Sequence, residues 1–400
     1  MWSVAIGLIA IGAAIWYNTQ AGSGYGKCGT GYDETFSDNY NDARRLFLES
    51  ARAWGADRLV SVPLDEQNRA GLIMDFAVKN GRSDRVLIHL GGTHGVEGFA
   101  GSAIQSAFLR SSKAQPWDPS KDPTIIFVHA VNPYGFAALR RTNENNVDLN
   151  RNFLTDEQRA DRLSADPNQH GYEDFEWYLN PAYVPRYFDL LSIAGAVLQR
   201  AWRGSKFTRK ALLTGTYQKK RGLWYGGDKL EPSNKLLPET LTSILGGAKG
   251  LAKVEKVILV DVHTGLGPSG YDTVAVPQSA MPLGKEIFCS ESDHVVGMGE
   301  GEMIGYDDVV GDVGVGVLSS LFPKAAVAVP VCHEFGTYPT LLISIVMRYE
   351  NAATHWAPMM RSPAALWLRD MFYRVSSCDW RRSLLDRGGT IISDALEYLR

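Results

Sequence analysis

Three nearly uninterrupted apolar runs limit the fold most: Val86-Leu87-Ile88, Ile125-Ile126-Phe127-Val128 and Val257-Ile258-Leu259-Val260. A strand apolar on both faces must be covered on both sides, as in a largely parallel sheet lying between layers of helices. Further strand-like runs are 59–62, 72–78, 272–276 and 325–329, the last continuing through Pro330 toward Glu334. Pro330 predicts an edge position or an irregularity, because proline cannot donate to a ladder. Helical spacing intervenes. Ala43, Leu46, Phe47, Ala51 and Trp54 recur at threes and fours before Gly55, and Ala100, Ala103, Ile104, Ala107 and Phe108 repeat the pattern. Residues 187–202, 236–245 and 338–348 also read as helices. Strands alternating with helices predict an α/β fold.

The chemistry starts where the first run ends, at Gly91-Gly92-Thr93-His94-Gly95-Val96-Glu97. The glycines let the backbone leave the strand through conformations other residues avoid. His94 and Glu97 share a face if the chain turns helical there. An imidazole and a carboxylate suit a zinc ion, although the same spacing also describes an ordinary solvated helix face. A catalytic zinc needs a third protein ligand. His263, at the tip of the strand 256–264, is the candidate. Asp261 shares its face and can orient a ligand.

Glu334 ends a long apolar stretch, where partial desolvation raises a carboxyl pKa toward that of a useful base; a helix-capping carboxylate is the other reading. Residues 140–153 hold three arginines and five asparagines, too polar for a core. Following a buried strand, they read as a solvated loop or as a site rim able to grip carboxylates. His89 and His129 read as packing or supporting residues, and alternation along the strand aims His333 away from Glu334. The aromatic segment Gly222-Leu223-Trp224-Tyr225-Gly226-Gly227 reads as a packing turn or a pocket-side loop.

Composition removes other classes. A net charge of −3 with no dense basic block argues against a nucleic-acid partner. The four cysteines form no Cys-x-x-Cys pair, so no cysteine zinc site is signalled, and one or two disulfides remain open for an exported chain. Residues 2–17 are nearly all apolar and precede a glycine-rich stretch. They read as a membrane anchor or an uncleaved signal, against the alternative of a buried core helix. The expected organisation is therefore a hydrophobic segment and linker over 1–35 and a catalytic domain over 36–400. The chain is expected to associate with a membrane through residues 2–17 or to be exported, and otherwise to be cytoplasmic.

His94-Gly-Val-Glu97, Arg141 followed by Val147-Asp-Leu-Asn150-Arg151-Asn-Phe, Asp261-Val-His263-Thr-Gly and Glu334-Phe-Gly occur in this order. Together they resemble the carboxypeptidase A-like zinc hydrolase clan, which holds metallocarboxypeptidases and aspartoacylase and succinylglutamate-desuccinylase deacylases. The chain most resembles a branch known chiefly as domains of unknown function. The resemblance implies a three-layer α/β/α sandwich on a mixed, mostly eight-stranded sheet. It implies Zn2+ held by His94, Glu97 and His263, with Glu334 as general base and Arg141 holding the oxyanion. Asn150 and Arg151 would grip a substrate carboxylate, and Tyr306 is a candidate for the mobile tyrosine of carboxypeptidases. The expected reaction is hydrolysis of an amide next to a carboxylate, most simply by a deacylase of N-acyl amino acids or similar small amides. The alternatives are a metallocarboxypeptidase acting on peptide C-termini and a non-catalytic binding domain.

Overall fold

A computed structural model describes residues 28–29, 32–64, 71–112, 116–185, 189–303, 306 and 308–400. Eight strands form one mixed sheet: β1 (Arg58–Pro63), β2 (Ile73–Lys79), β3 (Arg82–Gly91), β4 (Pro123–His129), β5 (Lys256–Thr264), β6 (Asp272–Val276), β7 (Val295–Gly297) and β8 (Val327–Phe335). Their order across the sheet is β1-β2-β4-β3-β5-β8-β6-β7. The inner four, β4-β3-β5-β8, are parallel, and antiparallel pairs flank them. The helices that matter here are α1 (Tyr40–Trp54), α2 (Gly98–Ser111), α3 (Leu190–Arg203), α4 (Ser205–Leu213), α5 (Pro232–Ile244), α6 (Val313–Leu321), α7 (Thr340–Trp356), α8 (Arg361–Phe372) and α9 (Cys378–Leu399).

Alternation along the strands explains the layers. Leu87, Ile125, Phe127, Ile258 and Val260 point to one face, where Phe47 of α1, Phe99 and Ile104 of α2, and Leu384 and Ile391 of α9 pack on them. Val86, Ile88, Ile126, Val128 and Leu259 point to the other, under Leu237 and Leu241 of α5 and Val313 and Val317 of α6. A third cluster joins Tyr172, Phe175 and Trp224 to Ile343 and Met347 of α7 and Phe372 of α8. It lies in the long segment between β4 and β5 and in the helices after β8. α1 begins at Asn39, whose side chain accepts from Asp42 N, and ends at Gly55 with φ 77°.

One expectation is met only locally, and another needs correction. β8 is an internal strand, with Pro330 opposite Leu259 of β5. Proline is tolerated there because β6 pairs with β8 only from Cys332 to Phe335, so the flank of β8 beside Pro330 has no β6 partner. The expected membrane anchoring needs correction. Among the described residues no helix is long and apolar enough to cross a membrane. Residues 2–17, on which that expectation rests, lie outside the described residues. A disulfide, Cys28–Cys378, ties the start of the described chain to the first turn of α9.

Candidate active site

The site lies at the carboxyl ends of β3, β5 and β8. β3 continues through α2 to β4 on one side, while β5 lies on its other side. The loops therefore part at this point and leave a crevice, the usual place for a ligand in an open α/β sheet. Gly92, with φ 73°, turns the chain out of β3, and a Cβ there would meet Ala130 Cβ at 2.8 Å. The corner is then pinned by Gly95 N donating to Arg141 O (3.1 Å) and Val96 N to Arg140 O (2.8 Å). Residues 95–97 form one 3-10 turn, which brings His94 and Glu97 together: His94 Nδ1 is 3.0 Å from Glu97 Oε1.

Strand register supplies the rest. His263 and Glu334 are direct partners on β5 and β8, so their side chains leave the same face of neighbouring strands. His263 Nδ1 lies 3.1 Å from His94 Nδ1 and 3.2 Å from Glu97 Oε2. Glu334 Oε1 accepts from Leu266 N at 2.9 Å. His94, Glu97 and His263 are buried, and one donor atom from each falls within 4.8 Å of the others. Among the described residues they are the one such group of His, Cys, Asp and Glu.

The outer nitrogen of each imidazole meets a buried carboxylate. His94 Nε2 is 3.0 Å from Asp148 Oδ1, and His263 Nε2 is 3.1 Å from Asp261 Oδ2. Thr93 Oγ1 donates to Asp261 Oδ2 at 2.8 Å and holds that carboxylate in place. A proton held on His263 Nε2 leaves its Nδ1 lone pair facing Glu97, the arrangement typical of metal-bound histidines, while His94 Nε2 also has the Arg141 NH2 at 2.9 Å. Three buried carboxylates, Glu97, Asp148 and Asp261, surround two imidazoles and the Arg141 guanidinium, an excess of negative charge that a divalent cation would balance. The donor set thus fits a divalent metal ion.

Electrostatics separates the two glutamates. Burial raises the pKa of both, but the nearby His94 and Arg141 charges outweigh it for Glu97 and hold that group below the usual carboxylate range. For Glu334 burial dominates and the Glu97 charge adds to it, pushing the carboxyl up to about 7. Burial also opposes the charged form of His263, but Asp261 and Glu97 outweigh it and raise its pKa well above the ordinary value.

All eight site residues expected from the sequence line one pocket: His94, Glu97, Arg141, Asn150, Arg151, His263, Tyr306 and Glu334. Arg141 leans on the ligand cluster, with NH1 donating to Glu97 Oε1 at 2.7 Å and Nε to Asp148 Oδ2 at 3.4 Å. Asn150 Oδ1 accepts from Val313 N (2.8 Å), which leaves its amide NH2 as the remaining donor. Arg151 gives Nε to Leu213 O (2.7 Å) and NH1 to Asn150 O (2.9 Å). Its NH2 is buried and has no hydrogen-bond partner among the described residues. The Arg151 guanidinium carbon lies 5.9 Å from the Tyr306 ring centre.

The histidines read as structural stay away from this cluster. His89 meets Gln105, His129 stacks on Phe47 and meets Ser102 Oγ, and His333 Nε2 contacts Asp272 Oδ2 at 2.9 Å. Sequence reasoning misses the part played by Asp148, although it sits inside the arginine–asparagine motif. Its position two residues before Asn150 is the available signal. Trp224 also lines the pocket while it packs in the third cluster, so both readings of the Gly222–Gly227 segment hold.

Several solved structures are similar in chain path at low identity. They include bovine thrombin-activatable fibrinolysis inhibitor in complex with a tick carboxypeptidase inhibitor (13% identity, 84% of this chain and 97% of that chain, TM-score 0.44). A carboxypeptidase A from Helicoverpa armigera matches at 12% identity over 82% of this chain and 73% of that chain, with a TM-score of 0.44. The murein-tripeptide amidase MpaA from Escherichia coli O157 matches at 17% identity over 78% of this chain and 95% of that chain, with a TM-score of 0.36. No curated protein matches the sequence. The sequence matches one family over residues 36–387, and the chain belongs to that family, described as Protein of unknown function (DUF2817).

Proposed function

We propose that this protein is a zinc-dependent hydrolase that cleaves an amide bond next to a carboxylate, and that it acts on N-acyl amino acids or similar small amides. The observation that carries the reading is the convergence of His94, Glu97 and His263 beside a Glu334 whose pKa is raised to about 7, in one pocket with the unpartnered NH2 of Arg151. Zinc bound by those three residues would activate water and polarise the scissile carbonyl.

The chain's own groups would do the rest. Glu334, as carboxylate, takes one proton of the attacking water and returns it to the amide nitrogen as the C–N bond breaks, giving an amine and a carboxylic acid that then releases its own proton. Arg141 lines the pocket beside Glu97, with NH1 2.7 Å from Glu97 Oε1 and NH2 2.9 Å from His94 Nε2, and its guanidinium would face negative charge growing on the carbonyl oxygen. Arg151 NH2 and the Asn150 amide hold the substrate carboxylate and so fix the scissile bond over the base.

Burial favours small substrates over polypeptide C-termini. His94, Glu97, His263 and Glu334 are each buried, and Arg209, Leu212, Leu213 and Trp224 of the 154–255 segment line the pocket. The test is metal analysis joined to a substrate panel of acylated amino acids and peptides. Zinc near one equivalent and release of free acid from acylated amino acids are expected. Glu334→Gln should keep the metal and lose turnover. Release of C-terminal residues from peptides in preference would replace the deacylase with a carboxypeptidase. A protein without zinc and without hydrolysis would overturn the enzyme reading.

A further inference from the structure

The Phe153–Lys256 segment supplies a wall of the pocket that the chemistry above does not use. Leu212 and Leu213 end α4, and Trp224 follows in the next loop; all three line the same pocket as Arg151. Arg151 Nε is bonded to Leu213 O, so this wall touches the proposed carboxylate seat directly. A group on the carbon bearing that carboxylate has Leu212, Leu213 and Trp224 among the apolar side chains that line its pocket.

The wall is fixed. Trp224 is buried, with φ 56°, a left-handed conformation that a bulky residue keeps only when its surroundings enforce it. Thr216 N donates to Trp224 O (3.1 Å), and Gly226 N donates to Thr216 O (2.9 Å). Asp148 N donates to Tyr225 O (2.8 Å). Asn146 Nδ2 donates to Lys220 O and Gly222 O, each at 3.1 Å, and Asn152 Nδ2 to Gly226 O at 2.9 Å. The asparagine-rich loop that carries Arg141, Asn150 and Arg151 therefore also clamps both ends of the Trp224 loop. Seat and wall are one unit.

We propose that Trp224, with Leu212 and Leu213, selects the side chain on the carboxylate-bearing part of the substrate, and that it selects a large apolar one; this rests on the reading of Arg151 as the carboxylate seat. Asn146 is a positioning residue for the wall. Arg209 lines the same pocket, and an acidic side chain is the competing choice.

The experiment is calorimetric binding of N-acetyl-L-phenylalanine, N-acetylglycine and N-acetyl-L-glutamate to the zinc-loaded Glu334→Gln protein, beside hydrolysis of the same three by the wild type. Burying a phenyl group predicts binding of the phenylalanine ligand about 10- to 100-fold tighter than that of the glycine ligand. Trp224→Ala should remove most of that gap and leave N-acetylglycine within about twofold, whereas Trp224→Phe restores part of it. Leu212→Ala, at a half-buried position, should shift the gap the same way by less, and serves if Trp224→Ala does not fold. Asn146→Asp should act like Trp224→Ala. Equal losses for all three ligands would overturn the selective role, and tightest binding of N-acetyl-L-glutamate would give selection to Arg209. Preference without hydrolysis would refute the enzyme reading but keep the wall. Hydrolysis without preference would do the reverse. Failure of all three ligands to bind would remove the seat and the wall together.

Discussion

Asp148→Asn is the most informative single change, because it alters one charge and almost no shape. Asp148 is fully buried. Its Oδ1 is 3.0 Å from His94 Nε2 and accepts from Asn150 N at 2.9 Å, and its Oδ2 accepts from Arg141 Nε at 3.4 Å. Asparagine keeps one acceptor oxygen for these donors but no longer strengthens the imidazole as a donor to a metal. Carboxylates in this position are worth about 10- to 100-fold in metal affinity, or about 1.4–2.7 kcal/mol. A second effect has the same sign. With Asp148 neutral, Arg141 depends more on Glu97 Oε1, now 2.7 Å away, and so competes with the metal for that oxygen. The expected loss is therefore in the upper part of the range, about 30- to 100-fold. Zinc affinity is measured by competition with a chelating indicator, with thermal melting to show that the variant is folded. Asp261→Asn, acting on His263 from 3.1 Å, should weaken zinc by a comparable factor. Affinities for both variants within about twofold of the wild type would refute the assignment of the two histidines as ligands oriented by carboxylates.

The same geometry bears on pH dependence, substrate charge and stability. A base must be ionised to act, so kcat/KM should be present at high pH and fall as pH drops through the Glu334 value, about 7 without metal. A bound dication lowers that value, so the midpoint should lie between an ordinary glutamate, about 4.3, and about 7; a flat profile from pH 4 to 8 would count against Glu334. Arg151→Ala should cost about 10- to 100-fold in kcat/KM on acids and little on the matching carboxamides, since it removes a charge-assisted contact of about 1.5–3 kcal/mol; equal losses on both would place Arg151 in the framework instead. On β6, beside the β8 strand that carries Glu334, Asp272 is buried, and His333 and Arg387 outweigh that burial to lower its pKa. A depressed carboxyl contributes stability above its unfolded value, about 3.9, which is lost as pH falls through the folded value. Arg387→Ala should lower stability at pH 7 by about 1–3 kcal/mol in denaturant unfolding, discounted because the guanidinium is partly exposed. Replacing Cys28 and Cys378 by serine should cost about 2–5 kcal/mol, read the same way under oxidising conditions.

The apolar runs are enough to specify a covered sheet, because a strand apolar on both faces has to lie between two layers. The same logic marks the strand tips, where His94, His263 and Glu334 end apolar stretches that have no reason to carry polar groups. The resemblance in four ordered motifs then assembles those tips into one site. Local pattern does not show which side of β3 receives β5, and that decides whether His263 meets His94. Pairing of Leu90 with Asp261 and of His263 with Glu334 is set by packing across 171 and 71 residues of chain, which no local spacing encodes. The placing of Pro330 has the same origin: β8 is internal, and proline is safe in it only because β6 stops short and leaves a local edge. The role of Asp148 is hidden because its partner His94 lies more than fifty residues away. The wall built by Leu212, Leu213 and Trp224 is illegible because an apolar loop residue looks the same whether it packs a core or lines a pocket. The sequence by itself determined the layers and the polar strand tips; the crossover that joins them and the segment that lines the pocket beside them were decided by tertiary packing, where contacts distant in the chain compete for the same apolar surface.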